Sequence, residues 1–139
     1  MWPVRYLVLG CGAIGGTVAA GLVRDGHDVV VCDADPAVVA AINAAGLRIE
    51  GPVEQFTVRP AAIGPDELPD RIGFPVLVAC QQQHTANAAA LLAGRLVGEG
   101  FIASLQNGPP SPALAAAAGP GRVVQACVSF DADVAAPAW

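Results

Sequence analysis

The chain has 139 residues, of which 54% are apolar, which suits one domain with a substantial buried core. Its formal net charge is −5 and its pI is about 4.7, so we expect no nucleic-acid partner and no binding to an anionic membrane surface. No apolar run reaches the ~18 residues of a membrane-spanning helix. All seven basic residues are arginines, so the sequence offers no lysine as a general acid.

The four cysteines show neither a CxxC pair nor a spacing typical of metal ligands. The N-terminus has no signal-peptide layout, and together these features predict a reducing, cytoplasmic setting. Each cysteine falls near a predicted strand end or loop, and we interpret it as a small buried apolar group; a redox role is the alternative. The four are Cys11, Cys32, Cys80 and Cys127.

The first part of the chain predicts a strand, a helix and a second strand. Apolar residues over Arg5–Leu9 lead into a glycine-rich loop, and a helical pattern covers Ala13–Arg24. A turn at Gly26 precedes a second apolar run, Asp28–Cys32, which is followed by Asp33. Strand, glycine loop, helix and strand with a terminal acid form the context that the GxGxxG dinucleotide-binding fingerprint requires.

The three glycines of this fingerprint have different predicted roles. Gly10 makes the tight turn after the strand, Gly12 lets the backbone approach a diphosphate, and Gly15 lets the helix pack closely on the strand. The helix N-terminus presents free N–H groups and the positive end of its dipole to phosphates. A glycine-rich turn in some other α/β domain is the alternative. The residues predicted to bind the cofactor here are Gly10, Cys11, Gly12, Ala13, Ile14 and Gly15.

Strands and helices alternate along the rest of the chain, which predicts an α/β, Rossmann-like fold. We expect a doubly wound, mainly parallel sheet with helices on both faces, forming one dinucleotide-binding domain over residues 1–139. A loop is predicted over Ala61–Arg71, with one helical turn at Pro65–Leu68. The other predicted elements are helices at Pro36–Ala45, Thr85–Val97 and Ser111–Ala118, and strands at Leu47–Glu50, Gln55–Arg59, Pro75–Cys80, Phe101–Leu105 and Arg122–Phe130.

Four loops are predicted to meet at the carboxyl edge of the sheet, where ligands bind in such folds. They are Gly10–Gly15, Asp33–Pro36, Gln81–Thr85 and Gln106–Pro109. Asp33 can accept hydrogen bonds from ribose hydroxyls, whereas a 2′-phosphate there would meet carboxylates and no cation. One like-charge contact costs about 1–4 kcal/mol, so we predict NAD in preference to NADP by roughly tenfold or more. The alternative is that Asp33 only caps a loop.

Amide side chains follow two other predicted strands at this edge. Asn107 can donate to a carbonyl and accept from a hydroxyl, so it can orient a keto acid or the nicotinamide ribose. Asn107 followed by glycine is also a good turn on structural grounds alone. Gln81, Gln82 and Gln83 close the central strand and can hold ribose or phosphate oxygens, with a solvated loop as the alternative for Gln82 and Gln83. We predict that Cys80 and Gln81 contact the cofactor. His84 is interpreted as a surface or capping residue.

These residues together resemble the N-terminal domain of the ketopantoate reductase (2-dehydropantoate 2-reductase) family. The glycine loop is shared with many families, and Leu105-Gln106-Asn107-Gly108 is the more specific element. The resemblance implies reduction of the ketone of ketopantoate with NADPH, on the pathway to pantothenate, with Asn107 in the active site. It extends to about Phe130 and rests on Gly10–Gly16, Gly26–Val29, Gly46–Ile49, Leu105–Gly108 and Gly121–Val124.

Three departures from the family pattern shape the prediction. The family's principal acid, a lysine, and a substrate-binding glutamate lie in a helical C-terminal domain, which we expect to be absent here. The chain is then a fragment or a stand-alone homologue, inactive alone, that works as a homodimer or with the missing domain. Gln81 stands where the family usually has a lysine. Asp33 and Ala34 replace its NADP-reading basic residue, which supports NAD and counts against ketopantoate itself as the keto acid substrate.

Two other classes of protein fit parts of this pattern. Nucleotide-sensing domains that regulate potassium transport also combine a glycine loop with a strand like Gly26–Asp35, but they usually carry a Gly-Asp pair after the third strand and lack the Gln-Asn-Gly loop. In methyltransferases an acid precedes the first glycine, whereas Val8 and Leu9 precede it here. We therefore favour the NAD(H)-binding part of a 2-keto acid reductase.

Overall fold

A computed structural model describes residues 5–108 and 111–126. These ranges form a six-stranded sheet, a two-stranded hairpin and four α-helices. Two short 3₁₀ turns lie at Pro65–Glu67 and Gln82–His84. In chain order the elements are β1 (Arg5–Leu9), α1 (Ala13–Arg24), β2 (Asp28–Cys32), α2 (Pro36–Ala45), β3 (Leu47–Glu50), β4 (Gln55–Val58), β5 (Ala61–Ile63), β6 (Val76–Val78), α3 (Thr85–Leu92), β7 (Ile102–Ser104), α4 (Pro112–Ala118) and β8 (Val123–Gln125).

The large sheet has the order β5-β2-β1-β6-β7-β8, and all its pairings are parallel. Side chains along β1 alternate between two cores, because successive residues of a strand point to opposite faces. Leu7 and Leu9 pack with residues of α3 and α4, whereas Val8 packs with residues of α1, α2 and β3. The predicted Rossmann-like sheet with helices on both faces is therefore confirmed. In the described ranges no helix is long and apolar enough to cross a membrane.

The strand order creates a switch point beside β1. The chain runs from β1 outward to β2 and β5, and then crosses back to β6 on the other side of β1. In open α/β sheets, ligands bind in the crevice at the carboxyl ends of the strands, where the winding direction reverses. The loops that follow β1, β2 and β6 border this crevice.

The strand β5 occupies the start of Ala61–Arg71, where the sequence predicts a loop, and that prediction is wrong for three residues. Ala61–Ile63 pairs with β2 at the edge of the sheet. On the side of β5 that faces away from β2, the Asn43 side chain takes the place of a further strand. Asn43 Nδ2 donates to the Ala62 carbonyl oxygen (2.9 Å), and the Ala62 N–H donates to Asn43 Oδ1 (3.1 Å). So short a run carries no periodicity to detect, and its partners lie far away in the chain. The predicted turn after it is confirmed as the 3₁₀ turn Pro65–Glu67.

Asn43→Ala is expected to lower the free energy of unfolding by about 1–2 kcal/mol, because both backbone groups of Ala62 lose their side-chain partner. Alanine favours helix more than asparagine does, so a net loss isolates the missing bonds. Urea unfolding measures the change. Asn87→Ala, at an exposed position of α3, is the matched control and should be neutral or slightly stabilising. Equal losses in the two variants would contradict this role of Asn43.

The helix α3 ends at Leu92, well before the predicted end at Val97. Gly94 has a φ of +76°, a conformation that glycine adopts without strain. Arg95 then binds the end of the helix to a neighbouring loop. Its Nε donates to a carbonyl oxygen in the last turn of α3 (2.7 Å), and its Nη1 donates to that of Pro69 (3.0 Å). The helix therefore stops where this long-range contact begins.

The remaining boundaries differ from prediction by small amounts. The strands β4, β6 and β7 are shorter than predicted by a residue or more at one or both ends. The helix α4 begins at Pro112 with Ser111 as its N-cap. For the last predicted strand, residues 123–125 form β8, and the part beyond residue 126 lies outside the described residues.

Candidate functional site

A cleft of about 530 Å³ opens at the carboxyl ends of β1, β2 and β6, at the switch point of the sheet. One wall is the glycine loop, another is the β2–α2 loop, and α3 forms a third. The cleft is lined by Leu9, Gly10, Cys11, Gly12, Cys32, Asp33, Ala34, Asp35, Pro65, Ala79, Cys80, Gln81, His84, Asn87, Ala88 and Leu91. Six of the ten predicted site residues therefore line it, namely Gly10, Cys11, Gly12, Asp33, Cys80 and Gln81.

Gly10 and Gly15 are glycines because the protein itself leaves no room for a side chain. Gly10 has a φ of +98°, and a Cβ there would lie 2.7 Å from the backbone nitrogen of Cys80. A Cβ on Gly15 would overlap the carbonyl oxygen of Gly10 and lie 3.0 Å from the Cβ of Ala79. The roles predicted for these two glycines, a tight turn and close helix packing, are therefore present in the structure.

Gly12 differs from these two glycines. It is exposed, its φ is −87°, and a Cβ built on it meets no protein atom within 4 Å. Neither backbone strain nor packing inside the protein therefore requires glycine at this position. Because Gly12 lines the cleft, the open space beside its Cα is available to a ligand. This geometry fits the close approach of a diphosphate to the backbone.

The helix α1 begins at the cleft without a side-chain cap. The first bond within the helix runs from the Gly16 N–H to the Gly12 carbonyl oxygen (2.9 Å), and the N–H groups before it have no partner within the helix. These groups belong to Ala13, Ile14 and Gly15, which do not line the cleft. They can therefore offer a ligand their backbone N–H groups and the positive end of the helix dipole, rather than side chains.

Asp33 binds two loops together. Its Oδ2 accepts the backbone N–H of Cys11 in the glycine loop (2.8 Å), and its Oδ1 accepts that of Asp35 at the start of α2 (2.9 Å). The loop-capping alternative for Asp33 is thus present in the structure. A carboxylate has about four acceptor positions, so two remain for a ligand in the cleft that Asp33 lines.

The surroundings of Asp33 are acidic. A neighbouring cleft of about 370 Å³ shares Asp33 and Ala34 with the first and adds Asp66 and Glu67. All seven arginines lie in the described ranges, and none lines either cleft. An anion in these clefts would therefore meet no guanidinium group; its donors would be backbone N–H groups and, in the first cleft, the side chains of Gln81, His84 and Asn87.

Three cysteines lie at this edge of the sheet, and all three are free thiols. Burial, with a smaller contribution from the charge of Asp33, raises the pKa of Cys11 to about 12 and that of Cys32 to about 11. Burial also raises the pKa of Cys80. Such thiols stay protonated at neutral pH, where they are poor nucleophiles. The interpretation as buried apolar groups is confirmed for Cys11 and Cys32, while Cys80 is half-buried and Cys127 lies outside the described residues.

Alkaline pH should destabilise the protein through Cys11. Its pKa is raised in the folded chain, so the unfolded chain loses the thiol proton first. The stabilisation is therefore complete below about pH 8.5 and declines as the pH rises from there towards about 12. Urea unfolding of the wild type and of Cys11→Ala, near neutral pH and in the alkaline range, measures this decline. It should be smaller in the variant, and equal declines would contradict the assignment.

The loop that carries Asn107 lies at the same edge but outside the cleft lining. Gln106 Nε2 donates to the Cys80 carbonyl oxygen (2.9 Å) and to Thr85 Oγ1 (2.7 Å). Gln125 Nε2 donates to the Gln106 carbonyl oxygen (2.7 Å). The loop after β7 is thereby bound to the loop after β6 and to β8. Asn107 itself is exposed and is not among the residues that line the cleft.

Sequence reasoning missed the wall that α3 contributes, and it missed the linking role of Gln106. A signal for the wall was available, because His84, Asn87, Ala88 and Leu91 follow the i, i+3, i+4, i+7 spacing of one helix face. His84 stands at the N-cap position of α3 and is exposed, without a side-chain capping bond. Its predicted surface position is confirmed, and the capping role is wrong.

Comparison with known proteins gives the family. A sequence model of the family described as ketopantoate reductase PanE/ApbA matches residues 6–139. The chain belongs to the ketopantoate reductase family. A 2-dehydropantoate 2-reductase from Pyrococcus abyssi is 32% identical over 107 residues, which make up 76% of this chain and 33% of that protein. The chain thus spans about a third of the length of this curated relative.

Solved structures agree with this family. The 2-dehydropantoate 2-reductase from Methylococcus capsulatus has a TM-score of 0.80 at 28% identity, over 97% of this chain and 44% of that one. D-mandelate dehydrogenase with NADH and anilino(oxo)acetate has a TM-score of 0.88 at 13% identity, over 96% of this chain and 44% of that one. At this identity the second likeness is one of fold alone. The chain covers less than half of each of these two structures.

Proposed function

We propose that this ketopantoate reductase family domain binds NAD(H) and forms the nucleotide-binding part of a reductase that converts a small 2-keto acid into a 2-hydroxy acid. The observation that carries the proposal is the cleft at the switch point, where Gly12 leaves its backbone open to a ligand and Asp33 presents an oriented carboxylate. The family match supports the class of reaction. The fold, shared with D-mandelate dehydrogenase, is one that binds dinucleotides at the switch point of its sheet, which supports the class of cofactor.

In this proposal the diphosphate lies against Gly12 and the first turn of α1. The N–H groups before the first intrahelical bond are natural donors to an anion, and the helix dipole adds to their attraction. No arginine lines the cleft, so affinity depends on the shape of the glycine loop. Changes in loop geometry should therefore alter affinity more than changes in surface charge.

The proposed preference for NAD over NADP rests on the acids around Asp33. A charge-assisted hydrogen bond from a ribose hydroxyl to Asp33 contributes about 1.5–3 kcal/mol. A 2′-phosphate would instead face Asp33 and the neighbouring Asp35, with Asp66 and Glu67 in the adjoining cleft. Each like-charge contact costs about 1–4 kcal/mol at close range. Together these terms favour NADH by roughly tenfold or more.

The chemistry divides between the cofactor and the chain. When bound, the reduced nicotinamide supplies a hydride to the substrate carbonyl. Asn107 donates a hydrogen bond to the carbonyl oxygen and orients the keto acid, but a neutral amide does not supply the proton that the developing alkoxide needs. Because the sequence has no lysine, and a second copy of the chain would have none either, we infer that a further domain supplies that proton. The chain alone then binds nucleotide with little or no turnover.

Calorimetric titration of the purified chain with NADH and with NADPH tests the proposal. NADH is expected to bind more tightly by roughly tenfold or more. Asp70→Asn is a suitable control, since the Asp70 side chain is fully exposed and lies outside both clefts. Absence of NADH binding would overturn the proposed cofactor, and equal or tighter NADPH binding would overturn the preference. Rapid reduction of ketopantoate or another 2-keto acid by the chain alone would overturn the inferred need for an external proton donor.

A further inference from the structure

We propose that Asp33 is also a positioning residue, which sets the glycine loop in its diphosphate-binding shape independently of any contact with the ribose. This inference rests on the proposed function, because it concerns how the same cleft binds the cofactor. If the ribose contact were its only role, Asp33 would affect recognition of the adenosine ribose and no other part of the cofactor. A second role makes the whole loop depend on its carboxylate.

The geometry joins the end of β2 to the glycine loop at two successive residues. The Gly10 N–H donates to the Cys32 carbonyl oxygen (2.8 Å), and the Cys11 N–H donates to Asp33 Oδ2 (2.8 Å). The next residue along the loop is Gly12, which borders the open space of the cleft. The carboxylate of Asp33 therefore provides the last contact from β2 before the loop reaches the proposed diphosphate site.

This contact has two consequences for the loop. Because a backbone amide has one hydrogen, the Cys11 N–H that Asp33 binds is not available to a phosphate, and phosphate binding falls to N–H groups further along the loop. Cys11 also lies between two glycines, whose backbones sample many conformations when unrestrained. Without the carboxylate, binding would have to order this segment, and ordering reduces affinity.

A carboxylate suits this task better than an amide. Asp33 accepts two N–H donors, one on each oxygen. An asparagine has only one oxygen, and its NH₂ group would face the second donor without forming a hydrogen bond. In Asp33→Asn the single side-chain oxygen can accept only one of these two donors at a time, so the Cys11 N–H is bound for only part of the time. This is a change at the loop that does not involve the ribose.

A cycle of ligands and variants separates the two roles of Asp33. The ligands are NADH and an NADH analogue whose adenosine ribose lacks the 2′- and 3′-hydroxyl groups, and the proteins are the wild type, Asp33→Asn and the control Asp70→Asn. If Asp33 positions the loop, Asp33→Asn weakens binding of the analogue by roughly tenfold. If Asp33 acts through the ribose alone, Asp33→Asn and the wild type bind the analogue equally, which would overturn the inference.

Amide hydrogen exchange in the ligand-free protein gives a second readout. The Cys11 amide should be protected in the wild type and in Asp70→Asn, and should exchange faster in Asp33→Asn and in Asp33→Ser, with the core strands unchanged. Equal exchange of this amide in all four proteins would overturn the inference. This measurement does not depend on NADH. A wild type that fails to bind NADH would refute the proposed function, whereas the exchange result alone reports on the loop.

Discussion

Gly15→Ala is expected to lower the free energy of unfolding by about 3 kcal/mol. The added Cβ would overlap the Gly10 carbonyl oxygen and press on the Ala79 Cβ. Gly10 has little freedom to move away, because the backbone of Cys80 lies against its other side. The added Cβ has no rotamer of its own and meets a backbone oxygen, so no change of side-chain rotamer relieves the overlap. Urea unfolding followed by circular dichroism measures the loss.

Gly21→Ala is the matched control for this prediction. Gly21 lies in the same helix, and a Cβ built on it meets no atom within 4 Å. Alanine in the interior of a helix is more favourable than glycine by about 0.5–1 kcal/mol. The control should therefore unfold at a higher urea concentration than the wild type. If Gly15→Ala were as stable as Gly21→Ala, the close packing of α1 on the first strand would be wrong.

Gly12→Ser is expected to weaken NADH binding by roughly ten- to a hundredfold while leaving the fold intact. The side chain would occupy the open space beside the cleft, and displacing a well-packed ligand group costs about 1–3 kcal/mol, or one to two factors of ten in affinity. Serine is a good N-cap residue, so the variant should be at least as stable as the wild type. Calorimetric titration and urea unfolding measure the two effects separately.

Two comparisons make this result decisive. Gly12→Ala adds only a methyl group and should weaken binding with a loss of stability of at most about 1 kcal/mol, since alanine is a poor N-cap. Gly21→Ala, in the same helix but away from the cleft, should bind NADH as the wild type does. NADH binding of undiminished strength by Gly12→Ser would show that the diphosphate does not approach the backbone at this residue.

The sequence predicted best those elements whose boundaries have local causes. The helix α2 runs from Pro36 to Ala45 as expected, because Asp35 accepts the Ala37 N–H (2.9 Å) and Gly46 turns the chain with a φ of +82°. The first two strands and α1 also match, since the glycine loop and the turn at Gly26 bound them. Local signals of this kind can be read directly from neighbouring residues.

Features that depend on distant parts of the chain were not predictable in the same way. The strand β5 needs β2 on one side and Asn43 on the other, and the end of α3 depends on Arg95 reaching Pro69. For the candidate site, the spacing predicted that Asp33 would reach the cleft. It carried no information on the bond from Asp33 to the Cys11 N–H, because that bond depends on the conformation of two loops. The links of Gln106 to Cys80 and Thr85 likewise require two loops to be in place.

The bonds between Asn43 and Ala62 also affect how separate molecules can meet. A strand from a neighbouring molecule could pair with β5 only through the N–H and the carbonyl oxygen of Ala62, the central residue of β5. Both groups are already hydrogen-bonded to Asn43. Joining two sheets along this border would first require those two bonds to break, at a cost of about 1 kcal/mol each. Edge-to-edge stacking of domains through β5, the first step towards a fibre-like aggregate, is therefore disfavoured by a single helical side chain.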